Sequence, residues 1–148
     1  VMGFPNFIEH VQPLQYFYCL FAAIPRGCAG AMLRELAVPA PASPGLRLRF
    51  TEAAMRFEAL EAYLHQTALG WRAAAGAEYA ARVLRMKTYV TQESTKLCAE
   101  LFALSGVLHY RRNGRLARLL ADSFAGTALR PPLPLALETL SETFTLDA

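Results

Sequence analysis

Histidine, cysteine and carboxylate side chains are the groups that could bind a metal or act as a base or nucleophile. A di-iron helical bundle needs Glu-x-x-His on two helices, and none of His10, His65 and His109 follows a glutamate by three residues. Glu61 lies four residues before His65, a spacing that a lone surface hydrogen bond explains equally well. The sequence therefore predicts no metal site.

No sequence pattern indicates a catalytic nucleophile either. Cys19, Cys28 and Cys98 have no histidine nearby, and no serine occupies a G-x-S-x-G turn. Glu58 and Glu61 are three residues apart, which is typical of a solvated helix face. We therefore assign no catalytic residue. The odd number of cysteines, without a C-x-x-C pair and within apolar patterns, predicts buried free thiols in a reducing, cytoplasmic compartment.

The segment 105–115, which we call the junction, carries the most concentrated charge. It contains one aromatic residue and three arginines, namely Tyr110, Arg111, Arg112 and Arg115. A new helix is predicted to start at Gly114, and the free N–H groups of a helix start favour an anion, as do arginines beside them. There is no Walker or dinucleotide glycine loop. The residues alone leave two interpretations open, a phosphate-binding junction or an ordinary basic helix connection.

Length and composition indicate one apolar domain. The chain has 148 residues, of which 54% are hydrophobic and 18% charged, and its net charge is +3. Such a chain is too apolar to be disordered and too weakly basic to indicate nucleic-acid binding. Its most apolar run, 16–24, is too short to span a bilayer. Because the chain has few charges, we expect a further apolar face to be covered by another copy of the chain or by a neighbouring domain. The opening Val1-Met2-Gly3 suggests a piece of a longer protein.

Apolar residues at three- and four-residue spacing predict an all-α fold, and no strand-like alternation is present. Four helices are expected, over residues 14–36, 49–75, 78–104 and 114–128. The simplest arrangement is an up-down-up-down four-helix bundle. On the third helix, Tyr89 is expected to face inward and Lys87 outward.

Proline-rich segments set the predicted boundaries. Residues 1–12 are an entry segment, 13–130 the bundle domain, and 131–148 a tail with one or two helical turns. Residues 38–45 hold three prolines and read as a linker. Pro25 lies within the first helix, where proline is expected to produce a kink.

Residues 96–127 resemble the end of the acyl-CoA dehydrogenase C-terminal helical domain. Gly106 fits the turn after the third helix, Tyr110 fits the following aromatic residue, and Asp122 fits the acid of an Arg-Asp pair. Gly126-Thr127 fits a later Gly-Thr, and FAAIPRGCAGAMLREL is similar to the first helix of that domain. The resemblance covers about residues 13–132.

This resemblance implies a bundle of that type in a flavoprotein oxidoreductase. It implies FAD as the cofactor, with phosphate contacts from Tyr110, Arg111, Arg112 and Arg115. The implied partners are the other domains of the parent protein and further copies of the chain, which would meet through helix faces. The bundle would contribute to FAD binding and oligomerisation, and would not be catalytic alone.

Several family residues are replaced. Ala103 stands in place of a glutamine and Ala121 in place of the arginine before the aspartate, while Arg130 occupies the position of the catalytic glutamate. Residues 16–24, the alternative location of the base, contain no carboxylate, and 38–45 replaces an Arg-x-x-Phe-Gly that reaches the FAD diphosphate. Removal of an α-proton needs a positioned base. The alternative is therefore a degenerate, non-catalytic binding or assembly module that has lost FAD.

Overall fold

The computed structural model describes residues 13–37, 43–70, 77–106 and 114–143, and every element within these ranges is helical. In chain order the helices are α1 (Pro13–Ala37), α2 (Pro44–Leu69), α3 (Ala77–Leu104), α4 (Arg115–Ser123), α5 (Ala125–Ala128) and α6 (Leu133–Thr143). The predicted all-α class is confirmed. The four-helix count stays a prediction, because the described residues contain two short helices, α5 and α6, beyond α4.

Helix α3 is central, since it packs against α1, α2, α4, α5 and α6. Its apolar residues recur every three or four positions, so that one face stays buried along its whole length. They divide the core into two clusters. One cluster joins α3 to the carboxyl half of α1 and to α4, and includes Met32, Leu97, Leu101 and Leu116. The other joins α3 to the later half of α2, and includes Leu60, Leu64, Val83, Met86 and Val90.

Helices α2 and α3 run antiparallel. The hydroxyl of Tyr79, at the start of α3, donates to the carbonyl oxygen of Thr67 near the end of α2, at 2.8 Å. Nearer the start of α2 and the end of α3, the Nη1 atom of Arg56 on α2 lies 2.6 Å from the Oε2 atom of Glu100 on α3. The two pairs show that rising residue numbers on one helix meet falling numbers on the other.

Helix α2 starts five residues earlier than the sequence predicts. The side-chain oxygen of Ser43 accepts a hydrogen bond from the backbone N–H of Leu46 at 3.2 Å, and Pro44 occupies the first helical turn. Both are favoured helix-start residues. The predicted start at Arg49 was wrong because serine, proline and glycine together were assigned to the linker. The predicted end at Ala75 falls in 71–76, outside the described residues.

The predicted helix 114–128 is broken near Phe124. The hydroxyl of Thr95 on α3 lies 3.0 Å from the carbonyl oxygen of Ser123 and 2.9 Å from that of Thr91. The backbone N–H of Thr127 donates to Phe124, three residues back, at 3.1 Å. Because Ser123 directs its carbonyl towards α3, the α-helical ladder is interrupted and two helices replace one.

Lys87 is buried, which corrects the prediction that it faces outward. Its side chain is 1% exposed, and its Nζ atom donates to the carbonyl oxygens of Leu129 at 3.0 Å and Pro131 at 2.7 Å. Burial lowers the pKa of Lys87. We call the contact of Lys87, Thr91 and Thr95 with residues 123–131 the Lys87 seam. Tyr89, predicted to face inward, is instead 54% exposed.

Gly126 allows the Lys87 seam to close. A Cβ atom at this position would lie 2.9 Å from both the Cγ atom of Pro25 and the Cγ2 atom of Thr91. Contacts this short force a neighbour to move. Glycine is therefore the residue that lets α5 lie directly on α1 and α3.

The segment treated as a tail contains a longer helix than predicted. Helix α6 has eleven residues, about three turns, where one or two turns were expected. It packs against α3 through buried Ala136. The predicted domain boundary at residue 130 stays a prediction.

The cysteines of the described residues are free, as predicted, and Cys28 and Cys98 are buried. Cys19 is only partly buried. Burial raises the pKa of the Cys98 thiol to about 12, and also raises those of Cys19 and Cys28. A raised pKa keeps the thiol protonated, so these cysteines lack the thiolate that nucleophilic attack needs.

Candidate functional site

The junction begins at a turn that fits the sequence prediction. Helix α3 ends at Leu104, and the backbone N–H of Ser105 donates to Leu101 at 3.0 Å. Gly106 has a φ of +79°, in the left-handed region that glycine adopts without a steric penalty. The small-residue turn at 105–106 is therefore confirmed.

Three of the four predicted cofactor residues, Tyr110, Arg111 and Arg112, lie in 107–113, outside the described residues. The fourth, Arg115, is the first residue of α4. Its Nε atom lies 3.2 Å from the Oε2 atom of Glu35 on α1, and its side chain is 71% exposed whereas that of Glu35 is 29% exposed. The described part of the junction is thus a solvent-facing arginine held by a partly buried carboxylate.

The start of α4 fits an anion. Gly114 precedes the helix and has no side chain that caps its first N–H groups, so these donors remain available to water or to a ligand. Arg115 adds a positive charge at the same place. A phosphate group could therefore bind here, in competition with Glu35 for the guanidinium of Arg115.

Glu35 was not identified by sequence analysis. It is eighty residues away from Arg115 along the chain, and only the packing of α4 against α1 brings them together. A glutamate near the carboxyl end of α1 carried no signal of its own. The pair shows that a count of arginines overstates the positive charge of the junction.

A cleft of about 360 Å³ lies between α2 and α3, beside the last turn of α3. Arg56 lies in its wall and contacts both Glu100, at 2.6 Å, and Glu93, at 3.7 Å. Its hydrogen bond with Glu100 raises the pKa of Arg56, so this guanidinium stays charged. Arg49 also lines the cleft, 3.6 Å from Glu52. Each of these arginines has a carboxylate partner, which makes the cleft nearly neutral.

No carboxylate occupies the position that the resemblance gives to the catalytic base. Arg130 stands there and is exposed, as are Ala121 and Asp122. Burial raises the pKa of the Cys28 thiol, and the negative charge of Asp122 adds to that rise.

The remaining charged candidates serve the packing of helices. Arg26 forms an ion pair with Glu61 and places its guanidinium carbon 4.5 Å from the centre of the Phe57 ring. His65, four residues beyond Glu61, is exposed.

Within the described ranges, no three His, Cys, Asp or Glu side chains come together in a metal-binding group. None of the helices described there has the length and apolarity needed to cross a membrane.

Comparison with known proteins identifies the family. No curated protein matches the chain. Residues 28–129 match the family model described as "Acyl-CoA dehydrogenase, C-terminal domain". The match covers more than half of the sequence and includes the carboxyl-terminal part of α1 from Cys28 onward, all of α2 to α5 and the junction. The chain therefore belongs to the acyl-CoA dehydrogenase C-terminal domain family.

Proposed function

We propose that this chain is the helical part of an acyl-CoA dehydrogenase-like flavoprotein, where it contributes to FAD binding and to assembly without being catalytic alone. The family match over residues 28–129 is the observation that carries the proposal. FAD, when bound, supplies the two-electron chemistry of the oxidoreductase. A cytoplasmic location remains part of the proposal and is supported by the free thiols.

The role proposed for the junction is to hold the FAD phosphates. Arg115 and the uncapped start of α4 are the described groups that support it, and Tyr110, Arg111 and Arg112 are proposed to complete the set. Glu35 limits this affinity, because a phosphate must share Arg115 with it. A negative ligand gains most from cations that lack a competing partner.

Assembly is proposed to use exposed helix faces. Phe17, Leu20 and Ile24 follow one another at three- and four-residue spacing on α1, and each is more than 40% exposed. A row of large apolar side chains on one face favours contact with another protein surface. Other copies of this chain and the remaining domains of the parent protein are the proposed partners.

The second candidate is a binding or assembly module that has lost FAD. Exposed Arg130, in the position of the catalytic glutamate, favours it. The Arg115–Glu35 pair favours it as well, since it neutralises the one predicted phosphate contact that lies in the described residues. This candidate retains the apolar face of α1 and therefore still assembles.

Co-expression with the other domains proposed for the parent protein separates the two candidates. The flavoprotein hypothesis predicts a yellow protein in which the molar amount of FAD is proportional to that of the chain. The visible flavin spectrum after denaturation measures this amount. A colourless oligomer, sized by light scattering, would establish the assembly module instead. A colourless monomer would contradict both.

A further inference from the structure

A second concave surface lies away from the junction, between α2, α3 and α6. It is an open groove of about 620 Å³, within the range of small-molecule sites. Tyr63 on α2 and Tyr89 on α3 form one part of its lining, and Leu137 and Leu140 on α6 form another. Sequence analysis did not indicate this groove, because Tyr89 was assigned to the core and α6 to a tail.

The walls of this groove suit a flat or extended apolar group. The rings of Tyr63 and Tyr89 meet edge to face, with centroids 6.1 Å apart. Tyr89 is 54% exposed and Leu137 46% exposed, so both keep apolar area that a ligand could cover. Burial of such area favours binding in proportion to its size.

Among the described residues of the lining, Arg85 carries the one charge. Within the described residues Arg85 has no salt bridge, whereas Arg26, Arg49, Arg56 and Arg115 each have a carboxylate partner. Gln92, two helical turns further along α3, also lines the groove and supplies an amide. Residues seven apart lie on the same helix face, so the guanidinium and the amide border the same apolar surface.

We propose that the groove binds a small amphipathic carboxylate, with its apolar body against Tyr63, Tyr89 and Leu137 and its carboxylate at Arg85. A guanidinium matches a carboxylate through two parallel N–H···O bonds. A single cation balances a single negative charge, whereas a phosphate dianion would be left undercompensated. This site is independent of the FAD function proposed for the junction.

Two probes of nearly the same shape test the proposal on the full chain. Naphthalene-2-carboxylate carries the charge and naphthalene-2-carboxamide does not. The carboxylate is expected to bind with a Kd of about 1 mM or tighter, as usual for a ligand of this size, and to shift amide resonances of α3 and α6 in two-dimensional NMR spectra. The carboxamide is expected to bind about tenfold more weakly, because it loses the charge-assisted pair.

Arg85→Gln should raise the Kd of the carboxylate about tenfold and leave that of the carboxamide unchanged. Arg82→Gln is the matched control, since Arg82 is exposed on the same helix and does not line the groove; it should change neither. Tyr89→Ala should weaken both probes. Circular dichroism checks that each variant is folded.

Three results of these binding measurements would overturn the proposal. They are no saturable binding of the carboxylate, equal affinities of the two probes, and equal effects of the substitutions at Arg82 and Arg85. A groove that is covered by a second copy of the chain would also overturn it. In that case Leu137→Asp would convert a dimer to a monomer in sedimentation, and the wild-type chain would not bind the carboxylate.

Discussion

The Lys87 seam and the junction both contain positively charged side chains, but the seam buries its charge whereas the junction exposes it to solvent. In the seam, Lys87 is 1% exposed and its ammonium donates to two carbonyl oxygens. At the junction, Arg115 is 71% exposed and meets one carboxylate. A buried charge without partners is costly, whereas an exposed one is stabilised by water.

The contrast separates residues that determine the fold from residues that remain available to a ligand. The contacts of Lys87 are internal, and they hold the connection between α5 and α6 on α3. The contact of Arg115 can be exchanged for a ligand at little cost, because a surface ion pair contributes only about 0.5 kcal/mol. Substitutions in the seam should therefore change stability, and those at the junction should change binding.

The largest effect is expected from Lys87→Ala. It leaves the carbonyl oxygens of Leu129 and Pro131 without their donor and opens a cavity, which should cost about 3 kcal/mol of unfolding free energy. Urea denaturation measures the change. Lys96→Ala is the control on the same helix, since exposed Lys96 pairs with Glu93 alone among the described residues, and about 0.5 kcal/mol is expected there. A loss below 1 kcal/mol for Lys87→Ala would remove the distinction between the regions.

Gly126→Ala should destabilise the chain by about 2 kcal/mol, because the added Cβ meets Pro25 and Thr91 at 2.9 Å. Gly27→Ala provides the opposite case. No atom of the described residues lies within 4 Å of a Cβ at Gly27, and alanine is favoured over glycine within a helix by about 1 kcal/mol. Thermal unfolding should place the two variants on opposite sides of the wild type. Equal shifts would show that α5 does not pack as tightly as described.

The next-largest effect is a dependence of stability on pH, which comes from the thiol of Cys98 beside the Lys87 seam. Cys98 lies 3.9 Å from the carbonyl oxygen of Pro25, and burial raises the pKa of its thiol from 9.0 to about 12. Below pH 9 the thiol is protonated in both states and its contribution to stability is complete. Above that value the unfolded chain ionises first, so stability falls, by about 1.4 kcal/mol at pH 10. It continues to fall until the folded thiol itself ionises.

Cys98→Ala isolates this contribution, because the other titrating groups remain. Urea denaturation at pH 7 and at pH 10 should show a smaller loss for the variant than for the wild type. Identical losses would indicate that Cys98 ionises equally in both states and is not shielded by the packing around it.

The smallest effect on stability, about 0.5 kcal/mol, is expected from Glu35→Gln at the junction. Removal of the carboxylate frees Arg115 for an anion, so the affinity for FAD should rise by about two- to tenfold. Flavin titration of the parent protein measures it. A variant that loses stability like Lys87→Ala, without a gain in affinity, would place the junction among the fold-determining regions.

The sequence predicted the elements whose signals are local. The three- and four-residue spacing of apolar residues predicted the ends of α3 and of α1 to within one residue. Gly106 indicated the turn after α3. The start of α2 also had a local signal, in Ser43 and Pro44, but the surrounding prolines favoured a linker instead. Local patterns therefore predicted the helices better than their boundaries.

Features that depend on distant contacts were missed. The break near Phe124 follows from the hydroxyl of Thr95 on another helix, and the burial of Lys87 follows from the position of residues 129–131. No window of sequence around these residues contains that information. The same holds for the pairing of Glu35 with Arg115, which decides how much charge the junction offers.

Comparison of FAD with riboflavin, which lacks phosphate, is the most direct test of the junction as a flavin phosphate site. Both flavins would be titrated into the parent protein and its Arg115→Gln variant, with Arg118→Gln as the control, an exposed arginine one turn later on α4. Arg115→Gln is expected to weaken the binding of FAD about tenfold and to leave the binding of riboflavin unchanged, whereas Arg118→Gln is expected to change neither. Equal FAD affinity in all three proteins would contradict it.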